Sequence, residues 1–146
     1  MKNQLLMILF VFVGSVMYTP ATAQSLSVTE IEQSIKAEGQ YAILISNARY
    51  FQAAVRTGQT LVAKNPELNF DIVLIGPVVK DLAKDESLKP SIEVSEKTGI
   101  RLVVCEAAMQ HFELKQSDYH HSIQFTPDGF IYLFGLQESG YKTLTL

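Results

Sequence analysis

A three-layer α/β/α fold, one domain built on a mainly parallel five-stranded sheet, is the architecture that three features of this chain predict. Short continuous apolar runs recur at Tyr41–Ser46, Phe70–Ile75 and Ile100–Val104, too uniform for half-exposed strands and too short for membrane spans. The stretches between them carry helical spacing instead of alternation, and Asn65-Pro66, Gly76-Pro77 and Gly99 punctuate the joins. Strands alternating with helices in this way imply an α/β sheet covered on both faces, with right-handed crossovers; periodicity does not give the strand order, for which a doubly wound arrangement is the natural expectation.

Residues 1–23 are set apart from that domain. Lys2 supplies a positive start, Leu5 to Val16 an apolar run, and Ala21-Thr22-Ala23 a small-x-small cleavage pattern, which together read as a removable signal peptide. The expected location is therefore outside the cytoplasm, periplasmic or secreted. No later segment has the length of a membrane span, so no membrane association is expected after cleavage, and no cysteine follows the cleavage site to take a lipid. Residues 24–39 form an N-terminal arm and 40–146 the α/β domain. The chain carries a formal net charge of −3 and no basic cluster, which argues against nucleic acid as a partner. Its single cysteine excludes an internal disulfide and a redox dithiol.

The elements follow in order. Ser27 and Glu30 are spaced as a capping box, with Leu26 placed to staple onto Ile31, so a short helix is expected to run toward Gly39 with only Ile31 and Ile35 on its apolar side. After the strand at 41–46, Asn47 turns the chain into the clearest helix, about Ala48 to Lys64, where Phe51, Ala54, Val55, Gly58, Leu61 and Val62 share one face. Behind the strand at 70–75, Pro77 suits the first position of a helix whose stripe is Val78, Val79, Leu82 and Ala83. Lys84 to Pro90 is a charged interruption, and Pro90 to Lys97, with Ile92 and Val94 to bury, reads as a short solvent-facing helix. Past the strand ending in Cys105, Glu106 to Leu114 is rich in helix formers. Ser117-Asp118 marks a turn, His121 to Phe125 a brief strand, and Thr126-Pro127-Asp128-Gly129 the start of a last helix. Tyr141 to Leu146 alternates as an edge strand should.

Cys105 is the sharpest chemical signal. It ends a buried strand and begins a helix, at the sheet edge where open α/β proteins bind ligands. A helix N-terminus offers free N–H groups and partial positive charge, which favour the reactive thiolate, while the adjacent Glu106 opposes ionisation. Asn47 and Gly76, ending the first and second strands, share this edge as candidate binding positions, although both also serve as ordinary turn residues. Cys105, Met109, His111, His120 and His121 match no recognised zinc or copper spacing, so no metal and no cofactor is expected. No nucleophile elbow, phosphate loop or dinucleotide fingerprint is present. In the last helix Phe130, Leu133, Phe134 and Gln137 form one stripe, but Ile131, Tyr132 and Leu136 cover much of the rest, so one core contact leaves apolar surface that either self-association or a neighbouring element must cover.

From Tyr41 onward the chain resembles the DsrE/DsrF-like family. The resemblance is carried by Ile75-Gly76-Pro77 leading into Val78-Val79-Lys80-Asp81-Leu82, by the strand Ile100 to Val104 ending in Cys105 with Ala107-Ala108-Met109 after it, and by Leu136-Gln137-Glu138-Ser139-Gly140-Tyr141. It implies a parallel five-stranded sheet, assembly into homo-oligomers such as trimers or hexamers, and, in sulfur-carrying members, a cysteine that accepts sulfane sulfur as a persulfide. Cys105 stands in the place of that cysteine, so a sulfur donor or acceptor protein is an implied partner. Two readings follow from it: sulfur handling or relay through Cys105, and a non-catalytic oligomeric binding module of the same fold in which the thiol is merely packed. If the signal peptide functions, the N-terminal sequence of protein recovered from an extracytoplasmic fraction begins near Gln24; a full-length chain retained in the cytosol refutes export.

Overall fold

The computed structural model describes residues 25–146; the expected signal peptide lies outside the described residues. Strands β1 (Gln40–Ile45), β2 (Asn69–Leu74), β3 (Arg101–Cys105), β4 (Gln124–Thr126) and β5 (Lys142–Thr145) form one sheet in the order β4-β3-β2-β1-β5. All four pairings are parallel, with Ile43 opposite Ile72 and Val73 opposite Val103 at the centre. The predicted fold class is the observed one, a three-layer α/β structure.

Helices α2 (Ala48–Lys64), α3 (Pro77–Lys84), α4 (Lys89–Thr98) and α5 (Glu106–His111) supply Phe51, Val55, Val78, Ile92 and Met109 to a large core, which meets Ile43, Ile45, Ile72, Leu74, Leu102 and Val104 of the strands. The alternate strand residues Ala42, Leu44 and Val73 point to the other face, where α6 (Gly129–Glu138) alone adds Leu133 and Leu136. Strand periodicity sends successive side chains to opposite faces, so the continuous apolar runs arise from burial on both sides. Gly58 lets α2 sit close to the sheet: a Cβ there would lie 2.7 Å from Phe70 Cδ1 and 2.9 Å from Ile100 Cδ1.

Several boundaries differ from the expectation for identifiable reasons. The capping box forms, with Glu30 N–H donating to Ser27 Oγ and Ser27 N–H to Glu30 Oε2. However, α1 (Val28–Gln33) stops well before Gly39, and Leu26 and Ile31 remain exposed, so the staple buries nothing; Ile35 alone of the expected pair packs on the core. The charged interruption holds a 3-10 turn at Glu86–Leu88 that buries Leu88. Next to it, α4 is not solvent-facing: it packs on α2 and buries Ile92 and Ser95, whose hydroxyl is satisfied by Ser91 O. The expected helix to Leu114 ends at His111, and β4 begins at Gln124 because His120 to Ile123 closes a turn, with Ile123 N–H donating to His120 O.

Under α6, a buried carboxylate gathers half-buried polar partners. Asp71 and Arg101, neighbours in the β2–β3 register, pair at 2.6 Å; Arg101 Nη2 also donates to Tyr141 Oη at 3.2 Å, and Tyr132 Oη donates to Asp71 Oδ2 at 3.3 Å. Burial raises the Asp71 carboxyl above its ordinary range, and the Arg101 contact offsets only part of that push. A raised carboxyl makes the folded chain bind its proton more tightly than the unfolded chain, so the Asp71 contribution to stability is lost as pH rises through the folded pKa. Arg101→Met removes the offset and leaves a buried carboxylate with one hydroxyl. We expect it to lower unfolding free energy at neutral pH by about 2–3 kcal/mol, less than the roughly 3–5 kcal/mol that breaking a fully buried pair costs, because Arg101 is partly solvated. Denaturant titrations across pH should show that deficit shrinking as pH falls and Asp71 protonates; a deficit constant with pH contradicts the assignment.

Candidate functional site

Each of the four inner and flanking strands ends at one edge of the sheet, where Ser46-Asn47, Ile75-Gly76, Cys105 and Thr126 leave β1 to β4. The connection from β3 enters α5 on the large-core face, whereas the connection from β4 enters α6 on the opposite face. Adjacent strands β3 and β4 therefore send the chain in opposite directions, and such a parting is where open α/β sheets place ligands. Cys105 sits there, in register with Thr126.

The cysteine is the N-cap of α5, as its place in the sequence suggests, but its hydrogen bond comes from elsewhere. Gly129 N–H, the first residue of α6, donates to Cys105 Sγ at 3.3 Å. The first turn of α5 is turned to another acceptor: Ala107 N–H donates to Pro127 O at 3.3 Å. Cys105 thus stands at the N-terminus of α5 as expected, while the hydrogen bond to its sulfur comes from the N-terminus of α6. Asp128 caps α6 through Phe130 N–H and Ile131 N–H, which leaves the Gly129 donor for the thiol. Glu106, expected to oppose a thiolate, has its carboxylate engaged by Gln116 Nε2 at 2.7 Å.

The sulfur is enclosed. Cys105 is only 6% exposed. A Cβ at position 129 would lie 2.6 Å from Ile75 Cγ2 and 3.3 Å from Cys105 Cβ, so the absence of a side chain at Gly129 is what lets α6 begin against this edge. Gly129, Asp128 and Thr126 were not singled out as site residues from sequence; the Thr-Pro-Asp-Gly turn was visible, but nothing in its spacing pointed back to Cys105.

The other two candidates serve the turns. Asn47 is the N-cap of α2, its Oδ1 accepting from Arg49 N–H at 2.8 Å. Gly76 caps α3 at φ 59°, a conformation L side chains rarely adopt, which explains a glycine before Pro77. Met109 goes into the large core and His111 is exposed, so the histidines do not gather around Cys105. Instead His120 and His121 lie beside Glu96 of α4, a grouping that no local spacing announces. A groove of about 610 Å³ between α1 and α2, lined in part by Thr29, Ile35, Thr57 and Leu61, does not include the cysteine.

The last helix also departs from its expected stripe. Leu133 and Leu136 are buried with Gly129, and Tyr132 is partly buried, while Phe130, Ile131 and Phe134 are 53%, 69% and 60% exposed. Leu144 and Leu146, on and just beyond β5, are exposed as well. Among the described residues no helix is long and apolar enough to cross a membrane.

Comparison with known proteins supports the fold. The protein of unknown function MTH1491 from Methanobacterium thermoautotrophicum superposes with a TM-score of 0.67 at 13% identity, covering 74% of this chain and 99% of that one. The conserved protein of unknown function BT1422 from Bacteroides thetaiotaomicron gives 0.63 at 19% identity, with 77% and 99% covered. The ychN protein from E. coli gives 0.61 at 11% identity, with 73% and 99% covered. No curated protein matches the chain. The model of the DsrE/DsrF-like family matches residues 39–146, the whole of the sheet and its helices, and the chain belongs to that family.

Proposed function

We propose that this is an exported sulfur-handling protein in which Cys105 accepts sulfane sulfur and passes it on. One observation carries this reading: the sulfur is held at the parting of β3 and β4 as the acceptor of the Gly129 N–H bond, so a helix N-terminus points at the atom that must bear negative charge. Membership of a family associated with sulfur relay agrees with it.

The chemistry is a displacement at sulfur. Cys105, having lost its proton to solvent, attacks the outer sulfur of a donor persulfide; the new S–S bond forms as the donor's S–S bond breaks, and the donor leaves as a thiolate that takes up a proton. Sulfur moves without net oxidation, so no cofactor is required. A thiol of an acceptor protein takes the sulfur from Cys105 by the same step in reverse order. Because the cysteine is 6% exposed, approach of a donor requires the groups around the sulfur, the start of α6 among them, to give way.

That same enclosure favours the second reading, a non-catalytic oligomeric binding module in which the thiol is packing. Intact-mass spectrometry after incubation with a small persulfide donor distinguishes the two. The relay reading expects added sulfur on the wild type and none on Cys105→Ser, with alkylation of the folded chain that is measurable beside the denatured one. No adduct, together with alkylation only after denaturation, leaves the binding module.

Either reading includes self-association through the apolar side of α6, which supplies Phe130, Ile131 and Phe134. These side chains are exposed in the single chain, so charged replacements spare its core. We expect the wild type to sediment as an oligomer at micromolar concentration and Phe130→Asp with Phe134→Asp to sediment as a monomer, since an interface does not accept unpaired buried carboxylates. A monomeric wild type rules this out.

A further inference from the structure

On the edge of the sheet opposite Cys105, α4 and the loop before β4 bring three donor groups together. Glu96 lies near the end of α4, and His120 and His121 precede β4. His121 Nε2 is 2.9 Å from Glu96 Oε1, the two imidazole centroids are 4.2 Å apart at an interplanar angle of 36°, and one donor atom from each of the three residues falls within 4.8 Å of the others. Both rings lie together beside a carboxylate from a different element.

We propose that Glu96, His120 and His121 form a binding site for a divalent transition cation of the zinc type. Two imidazole nitrogens and one carboxylate oxygen are borderline donors that suit zinc, copper or nickel and discriminate against magnesium and calcium, which take oxygen ligands. Ligand atoms about 2.0–2.1 Å from a tetrahedral zinc ion stand roughly 3.4 Å apart, so the three side chains need a small contraction to close on the ion. The site allows it: the His121 and Glu96 side chains are 76% and 41% exposed and neither carries core packing. His120 Nδ1 lies 2.8 Å from Ser122 Oγ and accepts Ser122 N–H at 3.3 Å; ligation through Nε2 would place the ring proton on Nδ1, which then donates to Ser122 Oγ, the kind of outer contact that holds a ligating ring in place. Three protein ligands leave the fourth zinc position open. The site is independent of the sulfur chemistry, because the length of β3, about 13 Å at 3.3 Å per residue, separates the strand ends on which the two depend.

The chain has three histidines and one cysteine in all, which makes the test clean. Untagged protein is titrated calorimetrically with zinc chloride, beside His120→Ala, His121→Ala, Glu96→Gln, His111→Ala and Cys105→Ser. The site predicts one zinc ion per chain, affinity at least ~10-fold weaker in either His120→Ala or His121→Ala, a smaller loss in Glu96→Gln, and no change in His111→Ala, Cys105→Ser or excess magnesium. Zinc should raise the melting temperature of the wild type and not that of the His120→Ala, His121→Ala double variant, a readout that also confirms the variant is folded. Absence of zinc binding, binding undiminished in the double variant, or binding lost with Cys105 or His111 overturns the proposal.

Discussion

The start of α6 lies directly on the carboxyl edge of the sheet, and that contact organises this protein. It requires a residue without a side chain at position 129, because Ile75 occupies the space a Cβ would need, and it delivers a backbone N–H to the only cysteine. Further along the same helix, Tyr132 reaches the Asp71–Arg101 pair and Leu133 and Leu136 seal the small core. One helix thus covers this face of the sheet, held by a backbone contact at one end, a polar set around the buried Asp71 in the middle and two leucines. The opposite face, with four helices, has a far larger core.

This imbalance accounts for the surface as well. A helix that covers a sheet face alone can bury only one side, and the rest of α6 is apolar all round instead of being polar outward. Phe130, Ile131 and Phe134 are therefore exposed for a reason internal to the fold, and the nearby Leu144 and Leu146 are exposed on the strand that follows. The cysteine sits beneath the first turn of the same helix, so the proposed chemistry and the proposed interface share one element.

Much of this could be read from residues alone, and the exceptions have physical causes. The strands β1 to β3 were legible because burial on both faces leaves an uninterrupted apolar run, and α2 because its buried and exposed sides differ sharply. The orientation of α6 was not, since a helix apolar on every side offers no periodicity from which to choose a face; Phe130 and Phe134 looked as good as Leu133 and Leu136. The position of Cys105 at a strand end was readable, but its hydrogen-bond donor lies 24 residues away and depends on which face β4 sends the chain to. Glu96 met His120 and His121 for the same kind of reason: α4 and the loop are adjacent only because β3 and β4 pair.

The bond from Gly129 to the sulfur has one more consequence. Gly129 N–H lies 3.3 Å from Cys105 Sγ, and a side chain at 129 would meet Ile75, so the first turn of α6 rests against both the sulfur and the sheet edge. Phe130 and Phe134 are carried by that same helix, on the side turned away from the sheet and toward solvent. Inside and outside of the chain meet in this one element: its first N–H faces the thiol and its far side is bare phenylalanine.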